Sequence, residues 1–158
     1  MIGHLAQICY AIWLALSPHS PRPPDADVLA SAIATAVDAD PVPVFGDADT
    51  EAAVAAVFVF YESRVRLHPE QWIDPRTGEP ADSHARGAYQ IRGHAGEGNA
   101  LTQTYAWLAL LHDGEKRCAD SPAAPLSGSC LLARRLADRR VALAKRLLSQ
   151  LSLETASE

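Results

Sequence analysis

Apolar residues recur at helical spacing or in unbroken runs along most of the chain, and period-two alternation is almost absent. An apolar stretch over 5–16 predicts either a first helix or an export segment. It has no Lys or Arg before Arg22, which an export signal normally carries, and it is too short to span a membrane. Pro18, Pro21, Pro23 and Pro24 then forbid a helix and favour an extended linker. Asp25 and Asp27 offer N-caps to a helix over 28–37, and a Pro-containing connector covers 40–46. Asp47, Asp49 and Thr50 offer the next caps. Glu51 and Glu62 bound the helix that follows, whose body over 52–61 is apolar on every face. A helix of that kind is buried on most sides.

The segment 65–94 is irregular, with a clear turn over 74–78 and room for one short hairpin between Trp72 and Ile91. A further helix is expected over 99–112 and a last one over 131–151, with apolar residues at 132, 136, 143, 147 and 151. Arg134, Arg135, Arg139, Arg140, Lys145 and Arg146 lie between them and are expected to form a solvated basic face. The predicted class is mainly α, with at most a small β-hairpin, in a single domain. Its divisions are an N-terminal apolar segment and linker over 1–24, a folded domain over 25–153 and a tail over 154–158.

Composition changes this picture little. The 158 residues are 48% hydrophobic and 21% charged, which suits a globular chain with one core. The net charge of -5 argues against nucleic-acid or anionic-membrane binding through bulk positive charge, and leaves a neutral glycan ligand open. Cys118 and Cys130 bracket a Pro/Ser/Gly-rich loop, and a disulfide between them is expected to stabilise by about 3 kcal/mol. Such a bridge implies a location outside the cytosol. No cysteine–histidine spacing indicates a metal site, His68, His84, His94 and His112 form no ligand pattern, and there is no Gly-rich phosphate loop. Neither a metal nor an organic cofactor is expected.

The chemistry-bearing candidate is Phe58-Val59-Phe60-Tyr61-Glu62-Ser63. A carboxyl group at the end of an all-apolar helix is a candidate proton donor, because burial disfavours charge. By itself it equally describes the polar end of a buried helix. Downstream stands Asp82-Ser83-His84-Ala85-Arg86-Gly87-Ala88-Tyr89-Gln90-Ile91. Together these segments resemble the two leading motifs of the lysozyme-like superfamily of lytic transglycosylases and goose-type lysozymes. There a helix ends in Glu-Ser and an irregular segment leads to Gly-Leu-Met-Gln-Ile. Ala88 and Tyr89 replace Leu and Met here, and the likeness runs from about Asp25 to Ile91. The family's later Ala-Tyr-Asn-Ala-Gly motif has no counterpart beyond Leu126-Ser127-Gly128, leaving Tyr89 or Tyr105 as substitutes for its tyrosine.

The resemblance implies cleavage of the β-1,4 bond between N-acetylmuramic acid and N-acetylglucosamine in peptidoglycan, outside the cytoplasm. Glu62 would be the acid, with the substrate cleft between its helix and the Gly87 segment. Gly87 would let the backbone approach the sugar, Gln90 would hydrogen-bond the N-acetyl group or the Glu62 loop, and Ser63 would orient the glutamate or cap its helix. Ser83 and Tyr89 belong to the same motif. Trp72 is a candidate stacking platform, whereas Tyr105 and Trp107 are expected in the core. A transglycosylase needs no second carboxylate, because the substrate's own C6 hydroxyl captures the intermediate. A hydrolase does, and Asp82 is the first candidate, with Asp74 behind it. A non-catalytic wall-binding protein on the same scaffold is the rival from another class.

Overall fold

An apolar helix that carries no polar face has to be surrounded, and the rest of this chain is arranged to do so. The computed structural model describes residues 2–69, 75–78, 85–92, 94–118 and 134–156. Helices α1 (Ile2–Leu16), α2 (Ala26–Asp38) and α3 (Ala48–Ser63) come first. A hairpin of two short strands, β1 (Ala85–Arg86) and β2 (Ile91–Arg92), and a 3₁₀ turn (His94–Glu97) follow. Helices α4 (Ala100–Arg117) and α5 (Arg134–Ala156) complete the order. The chain is mainly helical, as its periodicity predicts.

Helix α3 is the central post. Every residue over 50–60 is buried, and α1, α2 and α5 all pack against it. Each fully buried Val or Phe side chain on it contributes roughly 1.5–3 kcal/mol of transfer free energy. Helix α1 presents Leu5, Ile8, Cys9, Ile12 and Trp13 to the same core at three- and four-residue spacing. The Trp13 indole N–H donates to the Ala56 carbonyl at 2.9 Å, so α1 is tied to the middle of α3 by a buried hydrogen bond. The apolar stretch at the N-terminus is therefore a core helix here, and the proline segment is the connector that returns the chain into α2. Among the described residues no helix is long and apolar enough to cross a membrane.

The caps explain the boundaries. The Asp47 side chain accepts from the Thr50 backbone N–H at 2.7 Å and starts α3. Asn99 does the same for α4 through Thr102, at 2.9 Å. Asp25 holds the N-cap position of α2 but makes no side-chain cap, contrary to the sequence expectation. Its carboxylate is drawn away to the Leu67 backbone N–H, at 2.8 Å, and so anchors the segment that leaves α3. Helix α4 continues to Arg117, five residues past its expected end, and α5 continues to Ala156, into the segment expected to be a tail.

Candidate functional site

Glu62 occupies the last turn of α3, where the helix emerges from the core. The next residues reverse the chain through two left-handed positions, Arg64 at φ 56° and Val65 at φ 61°. The N–H of Arg64 returns to the Phe60 carbonyl at 2.9 Å, closing the helix end. Left-handed backbone is costly for any residue with a Cβ and an outlier for a β-branched one. Val65 is nevertheless fully buried, so its packing holds the turn. Ser63 matches one of the two roles expected of it: its hydroxyl donates to the Val59 carbonyl at 3.0 Å and accepts from the Arg66 N–H at 3.2 Å.

The surroundings of Glu62 differ from a purely apolar wall. Its side chain is 27% exposed, and its Oε1 accepts a hydrogen bond from Nη1 of Arg140 on α5. Arg140 was expected on a solvated basic face; it is instead buried. Its guanidinium lies 5.0 Å from the Phe58 ring centroid and 5.5 Å from that of Tyr61, and its Nε has no acceptor. A helical period read from sequence places a residue on a face, but the partner that draws a charge inward is 78 residues away. The neighbours Arg135, Arg139, Lys145 and Arg146 are exposed as expected.

The second motif forms the hairpin. Ala85 pairs with Arg92 and Arg86 with Ile91, antiparallel, around a turn over 87–90. Gly87 sits at φ 78°, and a Cβ there would stand 2.3 Å from the Gln103 Oε1 and 2.4 Å from the Gly96 carbonyl oxygen. The closeness that Gly87 permits is thus to α4 and the 3₁₀ turn. Gln90, itself left-handed at φ 51°, donates from Nε2 to the Gly87 carbonyl at 2.9 Å. Tyr89 is buried, stacked on Trp107 at 5.3 Å, and its hydroxyl meets Thr104 Oγ1 at 3.0 Å. Burial pushes its phenol pKa well above the usual range.

Gln103, absent from the sequence reading, joins the two motifs. Fully buried on α4, it accepts the Ala88 N–H at 2.7 Å and donates to the carbonyls of Leu67 at 3.2 Å and Gly98 at 2.8 Å. A line of rings runs beside it, from Phe58 on α3 through Trp107 on α4 to Tyr89 in the hairpin turn. Trp107 is therefore core, as expected, whereas Tyr105 is exposed. Asp74, Asp82, Ser83, His84 and Trp72 lie outside the described residues. Cys118 is disulfide-bonded and Cys9 is a buried free thiol; Cys130, the expected partner of Cys118, also lies outside them.

Two further features stand apart from Glu62. A pocket of about 670 Å³ opens between α1, the proline segment and the end of α3, lined by Tyr10, Trp13, Arg22, Phe60 and Arg64 among others. Neither Glu62 nor Gly87, Tyr89 or Gln90 lines it. At the opposite end of α3, Asp40, Glu51 and His112 bring one ligand atom each within 4.8 Å of one another. His112 Nε2 and Asp40 Oδ2 are 2.8 Å apart, and Glu51 Oε1 accepts the Val44 N–H at 3.1 Å. Burial pushes the Glu51 carboxyl up to about 8; the Val44 hydrogen bond lowers it, while Asp40 and Glu115 raise it. The sequence offers no motif for this group, because its members are 11 and 61 residues apart on three different segments.

Comparison with protein-family models, with curated proteins and with solved structures returned no match for this chain.

Proposed function

We propose that the protein is a lysozyme-like, peptidoglycan-cleaving enzyme that works as a lytic transglycosylase, with Glu62 as its acid. One observation carries this reading. Among the described residues, the non-glycine residues with positive φ are Arg64, Val65 and Gln90, and all three lie in or next to the two segments that resemble the family's motifs. Left-handed residues cost about 1–3 kcal/mol each and concentrate at functional sites. Their confinement to these segments fits backbone held for a purpose beyond stability.

In this mechanism Glu62 gives its proton to the glycosidic oxygen as the bond to C1 of the muramic acid breaks. The resulting carboxylate takes the proton of the C6 hydroxyl as that oxygen bonds to C1, leaving a 1,6-anhydro end. Arg140 occupies Oε1, which leaves Oε2 to exchange the proton in this mechanism. A hydrolytic course would add Asp82 as base, across roughly 6.5–9.5 Å from the acid. The Cys118 disulfide supports an extracytoplasmic setting, where its oxidation state persists.

The arginine contact also favours a second reading. A carboxylate held by a buried guanidinium is a stable structural element, which suits a non-catalytic wall-binding protein on the same scaffold. Purified peptidoglycan separates the two. Wild type is expected to release muropeptides with anhydro ends, seen by mass spectrometry, and Glu62→Gln to release none. Equal, negligible release by both proteins overturns the enzyme reading, and reducing ends move the assignment to a hydrolase.

A further inference from the structure

The Asp40, Glu51 and His112 group is unrelated to Glu62 and has a chemistry of its own. Asp40 follows the C-terminal end of α2, Glu51 stands in the first turns of α3, and His112 projects from α4. Glu51 is fully buried, its Oε2 has no hydrogen-bond partner, and one of its carboxylate oxygens lies within 4.8 Å of ligand atoms of Asp40 and His112. The Asp40 side chain is only 5% exposed. Two carboxylates this deep cannot both stay charged on their own: either a proton on Glu51 or a cation between them relieves the repulsion. Among the described residues no lysine or arginine pairs with Asp40, Glu51 or Glu115.

We propose that Asp40, Glu51 and His112 form a binding site for a divalent transition-metal ion of the zinc type. Two carboxylates neutralise a dication, and one imidazole adds the borderline donor that distinguishes zinc from magnesium or calcium. Bond lengths near 2.0–2.2 Å put the ligand atoms of a tetrahedral site about 3.4 Å apart, within the 4.8 Å spread of this group. Metal binding requires the 2.8 Å contact of Asp40 with His112 to widen by about 0.6 Å. Behind the imidazole, Glu115 Oε2 stands 4.0 Å from His112 Nδ1, the place of the carboxylate that commonly orients a metal-bound histidine. His112 is about one-third exposed, which gives the ion a way in and leaves a fourth position for water. Ligands from three segments make this a structural clip that fastens the α2–α3 connection to α4.

The test uses tag-free, full-length protein stripped with a chelator. Zinc titration by calorimetry is expected to show one saturable site and a raised melting temperature. Cobalt(II) in its place should give visible absorption bands of a four- or five-coordinate ion. His112→Gln, at a partly exposed position that a folded protein tolerates, should weaken zinc binding by about tenfold or more. His4→Gln, at the exposed His4–Asp49 pair, should leave it unchanged. Absence of saturable zinc binding by folded wild type overturns the proposal, and so does unchanged affinity in His112→Gln. The cobalt spectrum needs no variant and decides the matter if His112→Gln fails to fold.

Discussion

At the scale of single residues, the positions that matter most are those where a side chain is forbidden or where one carboxamide serves several groups. Gly87 is of the first kind. Alanine there would strain φ at 78° and drive a methyl group into Gln103 and the Gly96 carbonyl. Gly87→Ala is expected to cost about 2–4 kcal/mol, the sum of left-handed strain and overpacking, measured by urea denaturation. A cost under 1 kcal/mol would mean that the hairpin turn relaxes freely. Glycine at this place was legible from the motif, but its reason was not. Sequence reasoning assigned the open space to a sugar, whereas the nearest atoms belong to a glutamine 16 residues later that no local pattern marks.

Between elements, the contact of α3 with α5 includes an ion pair whose halves are unequally buried. Glu62 keeps water on one side, and Arg140 does not. Removing the glutamate strands a buried guanidinium whose Nε already lacks an acceptor. Glu62→Ala is therefore expected to destabilise by about 2–4 kcal/mol, near the range for breaking a buried pair. Adding Arg140→Leu should restore more than half of that loss, because the stranded charge is gone and Phe58 and Tyr61 accept an apolar neighbour. A double-mutant cycle by thermal or chemical unfolding reads the coupling, and purely additive losses would deny it. The helices themselves were plain from sequence because their apolar periods and caps are local. The inward turn of Arg140 was not, since an arginine among arginines carries no local sign of which one meets a carboxylate.

For the whole molecule, pH acts through the group that joins α2, α3 and α4. In metal-free protein the folded state holds a proton on Glu51 up to about 8, while the unfolded chain releases it at the ordinary value of 4.5. The folded state then binds more protons than the unfolded state across that window, so stability falls as pH rises through it and levels off above. The negative charges of Asp40 and Glu115 add to burial in holding that proton. Unfolding free energy between pH 5 and 9, with chelator present, should decline in wild type and flatten in Glu51→Gln. A wild-type slope equal to the variant's would remove Glu51 from the account. None of this was visible in the sequence, where Glu51 only marks one end of an apolar helix.

Gln103 has a mechanical consequence. One rigid carboxamide fastens the chain leaving α3 at Leu67, the hairpin turn at Ala88 and the approach to α4 at Gly98. The two segments that frame the candidate site are thus riveted to a common beam. Neither can leave α4 without breaking hydrogen bonds to the same side chain, so Gln103 couples the position of one segment to that of the other.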